Sequence, residues 1–504
     1  MAITPRAQDY SQWYNDIVQN ADLAENSSVR WCMVIKPYGF GIRENIQKIL
    51  DVMFKNTGHT NAYFPLFIPK SFLSKEADHV EHFAKECAIV THYRLKLDDN
   101  KKLIVDPEAK LDEELIVRPT SETIIWDSYK RWINSYRDLP ILINQRANIV
   151  RREMRTRIFL RTTEFLWQEW HTAHATYEEA ETEARKMHRV YNDFATNFMA
   201  ISPVLGPKPE HDKFAGALTT YAVEPMMQDY KALQAGTSHN LGQNFGKVFD
   251  VKFTNDKNEL DYVRWTSRWV STRLIWGLIM SHSDDKWLVL PPALAPLHVI
   301  IVPIFKNKEE LKQIKEYLNP LTKKCNSERL KFGSEYFDDQ IRITYKIDED
   351  DKKSMWRKFN EWEMKWVPLR IAVWPRDIAN GNVELYRRDT GEKEIITIEE
   401  AGQKIAPILH EIQINLFEKN KKFREDNTYY VDNYDEFKEK IQKWFVMAHR
   451  DWSTETALQI QNETKATIRC HPFEEFINPK YIWEWKCIIT GNNSKWVVLF
   501  AKSY

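Results

Sequence analysis

The segment VRREMRTRIFLRTTEFLWQEWHTAH at 150–174 concentrates the residues best suited to chemistry: five arginines and several glutamates interleaved with aromatic side chains. A planar guanidinium fork grips phosphate and carboxylate oxygens in pairs, so this spacing points to the handling of anions rather than to nucleophilic attack. Residues 118–136 (RPTSETIIWDSYKRWINSY) read as a loop capped by Thr/Ser, with Glu122 inside the first helical turn. The usual phosphate-loop, dinucleotide and zinc-protease signatures (GxxxxGK[ST], GxGxxG, HExxH) do not occur. A charged solvated hairpin is the plain alternative for 150–174.

These segments need elements to hold them. The alternation over 141–174 predicts two long strands joined by an arginine-rich loop. Ile42, Ile46, Ile49, Leu50 and Met53 recur at helical spacing between Gly39 and Gly58, with Gly58 as the residue past the helix end. NAYFPLFIP predicts a strand entering a proline bend, and 262–280 a strand followed by an apolar helix. The proline-rich LVLPPALAP at 288–296 reads as a boundary. Beyond it HVIIVPIF, the charged helix KNKEELKQIKEYLNPL and VPLRIAVW alternate as in a compact α/β domain. At 504 residues several cores are expected. Lys+Arg and Asp+Glu both number 72, which removes any bulk pull toward nucleic acid or membrane but leaves room for a local basic stripe. The N-terminus lacks an apolar leader core, no run is long enough for a membrane helix, and five scattered cysteines suit a reducing compartment; a soluble cytoplasmic protein is expected.

The motifs together resemble the prolyl branch of the class II aminoacyl-tRNA synthetases, archaeal/eukaryotic type. Arg151-x-Glu153 with Arg161-x-x-x-Phe165 is similar to motif 2, the 39–58 helix with Pro65 to the dimer-forming motif 1, and STR at 271–273 to motif 3. KFNEWEMK and VPLRIAV-PRDI resemble the anticodon-binding domain, and RC-PFEEF with a terminal Tyr504 the C-terminal domain. The resemblance implies a multidomain α/β chain: a catalytic domain over 1–290 built on an antiparallel sheet flanked by helices, an α/β anticodon-binding domain over 296–405, and a small α+β domain over 406–504. It implies activation of L-proline with ATP and Mg²⁺, transfer to tRNA(Pro), and a homodimer. Arg151 would bridge the α-phosphate and the proline carboxylate, Glu153 contact adenine, Arg161 hold the γ-phosphate, and Phe165 and Arg273 sandwich the base. Gln234 and Thr237 would contact the nucleotide. Thr120, Glu122 and Glu164 would surround the imino group, with Trp167 and His239 as walls. Glu122 has a plainer alternative as a helix-cap partner. Phe359, Glu363, Arg370 and Asp377 would read the anticodon, each equally readable as an ordinary domain residue. Cys470 and Cys487 are too few for a tetrahedral zinc site, so zinc is not expected. About 60 residues separate motif 2 from QAGTSH at 234–239, too few for an inserted editing domain of usual size.

The chain also departs from that family. Tryptophan (19) outnumbers glycine (14), whereas ordinary usage would supply about 35 glycines. Trp31, Trp170, Trp269, Trp287, Trp356, Trp366, Trp374 and Trp452 stand where the family has glycine. Arg43, Arg146, Arg152, Arg268, Arg357 and Arg450 stand where it has tryptophan. One-way exchange of this kind is what a reassigned genetic code would produce: UGA meaning glycine, and CGG or CGA meaning tryptophan. That origin predicts glycine-like φ values or cleft crowding at the suspect tryptophans. It also predicts apolar surroundings without a carboxylate at Arg152 and Arg268, and ordinary packing at Trp126, Trp132, Trp167, Trp362, Trp483, Trp485 and Trp496. An inactive tRNA-binding paralogue is the alternative, and a class II ligase for another amino acid the third reading.

Overall fold

The computed structural model describes residues 2–74, 87–482, 485–494 and 496–504. Helix α1 (Tyr10–Asn20) is started by the Asp9 carboxylate, which accepts from the Ser11 and Gln12 amides. Helix α2 (Pro37–Asn56) buries Ile42, Ile46, Ile49, Leu50 and Met53 as their spacing predicts, and Gly58 follows with φ 89°, the left-handed conformation that releases the chain.

The catalytic layer is a seven-stranded sheet. Its strands are β1 (Thr60–Ala62), β2 (Ile141–Val150), β3 (Glu164–His174), β4 (Val204–Pro207), β5 (Thr219–Glu224), β6 (Gly236–Gly242) and β7 (Arg264–Ser271). They lie in the order β4-β5-β6-β7-β3-β2-β1. All neighbours are antiparallel except β1 and β2. Three helices serve this sheet: α3 (Glu122–Trp132), α4 (Tyr177–Asn197), started by a Thr176/Glu179 capping box, and α5 (Arg273–His282), buried from Leu274 onward.

A second sheet contains β8 (Val299–Pro303), β9 (Tyr345–Ile347), β10 (Leu369–Val373), β11 (Asn382–Arg387) and β12 (Lys393–Thr397), ordered β9-β8-β10-β11-β12, with helix α6 (Met355–Met364) against β8. Of its three parallel strands, β8 and β10 are buried along their length, whereas the edge strand β9 is half-exposed. A third sheet, β13 (Thr428–Val431), β14 (Phe445–His449), β15 (Thr467–Cys470) and β16 (Val497–Ala501), has the order β13-β14-β16-β15.

LVLPPALAP, between the catalytic layer and the second sheet, is buried: Leu288, Leu290, Ala293, Leu294 and Ala295 sit in the largest core cluster, which runs from α1 into the second sheet. The passage at 405/406 falls inside one helix, α7 (Ile398–Asp426), which carries Pro407 in its interior. Gln413 on α7 accepts from the Ala293 amide and donates to the carbonyl of Asn197, tying α7 to the catalytic layer.

The suspect residues divide. Trp31 (φ 65°) and Trp366 (φ 53°) hold left-handed backbone, an uncommon conformation for a bulky side chain. Trp170 is fully buried and stacked on Tyr191, whereas Trp356 and Trp452 are exposed. Arg268 corrects the expectation made for it. It is buried, but Glu183 Oε1 lies 3.3 Å from its Nη2, and its guanidinium stacks 5.0 Å from Trp170. Arg152 is exposed above Trp31 rather than lodged among apolar groups. Of the tryptophans expected to pack normally, Trp126, Trp167 and Trp362 are buried, and Trp496 is half-buried with its indole N–H on the carbonyl of Pro472. Trp132 and Trp485 are exposed instead, and Trp483 lies outside the described residues.

Candidate active site

Two neighbouring cavities open on one face of the catalytic sheet. The larger, about 230 Å³, is lined by Thr120, Glu122, Arg151, Trp167, Gln234, Thr237 and His239, with Glu169, His171, Lys208 and Trp269. The smaller, about 180 Å³, is lined by Arg151, Glu153, Arg161, Phe165 and Arg273, again with Trp269. Arg151 and Trp269 therefore border both.

Strand periodicity explains the lining. Successive side chains on a strand point to opposite faces, so Phe165, Trp167, Glu169 and His171 share the cleft face of β3. Glu164 has the opposite phase. It is exposed, accepts from Asn148 Nδ2 at 2.9 Å, and does not line either cavity. The structure thus leaves Glu164 outside the cleft and brings in Glu169, which sequence reasoning did not single out. The phase of β3, counted from Trp167, was the signal that could have found it.

The two cavity carboxylates differ electrically. Burial raises the Glu122 carboxyl above its ordinary value, with Glu169 adding to the rise and His171 and Arg151 opposing it. Burial also pushes Glu169 up, but hydrogen bonds involving His171, Ser121 and Gln145 bring it below the usual carboxylate range. Gln145 Nε2 lies 2.8 Å from Glu169 Oε1, and His171 Nε2 3.2 Å from Oε2. Glu122 opens α3 and its carboxyl lines the cavity, while Ser121 makes no side-chain cap. Burial takes His239 down to about 3, which keeps the ring neutral; its Nδ1 sits 2.9 Å from Thr220 Oγ1.

The arginines are held by main chain and rings. Arg151 Nε donates to the carbonyl of Pro119 at 2.7 Å, and its guanidinium lies 5.3 Å from the Trp167 ring and 5.8 Å from Phe165. Arg273 begins α5 and gives Nη1 to the carbonyl of Gln234. Burial, then Arg161 and Arg151, lower it to about 10, and its buried Nε has no hydrogen-bond partner among the described residues. Arg161 lies 3.9 Å from Glu153 and reaches the carbonyl of Tyr504. A cluster of cations with spare donors, one of them deprived of solvent, is a receptor for a polyanion.

In the second sheet Arg370 lies over the Phe359 ring at 3.5 Å and over Tyr386 at 4.7 Å, with Glu384 at 3.5 Å. Glu363 is half-buried on the same helix as Phe359, whereas Asp377 is engaged locally by the Trp374 amide. Tyr386 and Glu384 were not foreseen, because they come from β11 across the sheet. Among the described residues no three His, Cys, Asp or Glu side chains converge on a common point, and Cys470 and Cys487 are free buried thiols.

A largely antiparallel sheet with Arg151, Arg161 and Arg273 gathered at one face is consistent with a class II aminoacyl-tRNA synthetase core, and the family match shows one. Residues 103–282 match the family model described as tRNA synthetase class II core domain (G, H, P, S and T), 298–407 an anticodon binding domain, and 434–504 the C-terminal region of prolyl-tRNA synthetase. The chain is 57% identical to a proline–tRNA ligase of Parabacteroides distasonis over 505 residues, covering all of this chain and 99% of that one. Identity is 56% to that of Bacteroides fragilis over 505 residues, with the same coverage, and 56% to that of Cytophaga hutchinsonii over 502 residues, covering 99% of both chains. The chain belongs to the proline–tRNA ligase family.

Proposed function

We propose that this chain activates L-proline with ATP and transfers it to tRNA(Pro). The observation that carries the proposal is Arg151, which borders both cavities and so can hold the proline carboxylate and the α-phosphate at once. Proline enters the larger cavity with its ring between Trp167 and His239 and its ammonium toward Glu122 and Glu169. The nucleotide enters the smaller cavity with its base against Phe165 and its phosphates toward Arg161 and Arg273. Mg²⁺ arrives with ATP. The proline carboxylate is already a nucleophile, so the residues need only align it and compensate the charge that develops on phosphorus. In proline-dependent ATP–pyrophosphate exchange, Arg151→Ala is expected to lose ~3 kcal/mol or more of transition-state stabilisation. Exchange unchanged in that variant would overturn this placement.

The second sheet serves the anticodon: Phe359, with Arg370 stacked on it, offers a surface for an unpaired base, and Glu363 an acceptor for guanine N–H groups. The C-terminal match and Tyr504 beside Arg161 support the archaeal/eukaryotic type. The working assembly is a twofold dimer through α2 and the strands that follow it, and the working compartment is the cytoplasm.

The tryptophans at the eight glycine positions, and the arginines at the six tryptophan positions, are proposed to arise from a reassigned code. The left-handed φ of Trp31 and Trp366 supports this, as does Trp269, whose indole borders both cavities that one reaction must join. The ion pair of Arg268 with Glu183 speaks for the literal residue at that position. Peptide masses decide between them.

A further inference from the structure

A neutral chain of four charges joins the C-terminal sheet to the catalytic sheet. Arg469 on β15 donates from Nε to Glu224 Oε2 at 3.0 Å and from Nη2 to both oxygens, at 3.1 and 2.9 Å. Glu224 ends β5 and is wholly buried. Lys208 Nζ, also buried, lies 3.3 Å from Glu224 Oε1 and 3.0 Å from Asp212 Oδ2. The surrounding backbone is equally committed. The His471 and Phe473 amides donate to the carbonyls of Pro207 and Leu205, so the C-terminal chain extends the catalytic sheet beyond β4.

The far end of this chain borders the larger cavity. Lys208, Asp212, Lys213, Phe214 and Ala215 belong to its wall, although no residue of the C-terminal sheet does. The Phe214 ring lies 4.8 Å from His239, and its amide donates to Thr220 Oγ1, which also meets His239 Nδ1. An unbroken chain of contacts therefore runs from Arg469 to the wall of the amino-acid cavity.

We propose that Arg469 is a positioning residue for amino-acid binding. Through Glu224 and Lys208 it fixes the 208–215 segment against the cavity, so that the C-terminal domain sets the affinity for the amino acid. Without the guanidinium, buried Glu224 draws Lys208 wholly to itself, Asp212 is released, and the wall loosens. The inference rests on the proline reading above.

The test uses the full-length protein in amino-acid-dependent ATP–pyrophosphate exchange. Arg469→Met is expected to raise KM for proline about tenfold, with kcat and KM for ATP within about twofold of wild type, and Arg469→Lys to recover part of the loss. Asp212→Asn breaks the chain at its exposed end, so it decides the matter if Arg469→Met does not fold. It should raise KM for proline in the same way, and combined with Arg469→Met add nothing further. An unchanged KM for proline, an additive double variant, or equal losses in all three constants would overturn the proposal. Wild-type protein inert toward proline would instead refute the reading beneath it.

Discussion

Glu122 and Glu169 face one cavity, yet burial dominates the first while hydrogen bonds dominate the second. A carboxylate held ionised by His171 and Gln145 is the better standing partner for a substrate ammonium, and losing such a charged hydrogen bond costs ~1.5–3 kcal/mol. Glu169→Gln is therefore expected to raise KM for proline by about tenfold or more, and Glu164→Gln to leave it within about twofold. Exchange kinetics on both variants check this, and equal effects would return Glu164 to the site. At the same scale stands the identity of the suspect residues. Tryptic peptides of the protein from its native cells, spanning Trp31, Trp269 and Trp366, are expected to be lighter by the mass that separates glycine from tryptophan. Those spanning Arg43 and Arg146 should carry tryptophan, and peptides matching the literal sequence would end the reassigned-code proposal.

Among the elements, the contact between β4 and the C-terminal chain is the least tolerant of change. A Cβ on Gly206 would overlap the carbonyl oxygen of His471, and both sides of that contact are backbone. Gly206→Ala is expected to cost ~1–3 kcal/mol and to lower the denaturation midpoint, measured by urea unfolding. A midpoint unchanged from wild type would mean that the two sheets separate without resistance. Such contacts mark where sequence reading stops. Helix α2, the paired strands β2 and β3, and the strand–helix unit β7–α5 were legible because each is encoded by its own periodicity. Arg151, Arg161 and Arg273 were legible because their motifs are local. Glu169 was hidden by strand phase, and Gln145 by pairing across two strands. Arg469 and Glu224 stand 245 residues apart, so no spacing announces them. LVLPPALAP marks a change of direction, but its burial was not legible, because proline suits a buried turn as well as a linker.

At the scale of the molecule, the three sheets share buried interfaces, but apolar side chains are left exposed around Pro65 and on a hairpin further along the chain. Pro65 is exposed after α2, between Tyr63 (71% exposed) and Phe67 (43%). A separate hairpin of Leu95–Leu97 and Leu103–Val105 exposes Leu95 at 58%, Leu97 at 62% and Leu103 at 68%. Ile89 and Tyr93, on the strand and turn leading into that hairpin, are also exposed. Apolar side chains concentrated within 45 residues of chain are costly to leave in water, and monomers rarely carry patches beyond a few hundred Å². A net charge of zero supplies no repulsion to keep two copies apart. A second copy related by a twofold axis near Pro65 would cover the same surface on both chains. Light scattering at micromolar concentration is expected to give twice the mass of the chain. The paired substitution Leu95→Glu and Leu103→Glu should shift that mass toward the monomer while leaving the circular dichroism of the fold intact. A wild-type monomer at that concentration would remove the dimer, and a dimer indifferent to the paired charges would move its interface away from the hairpin.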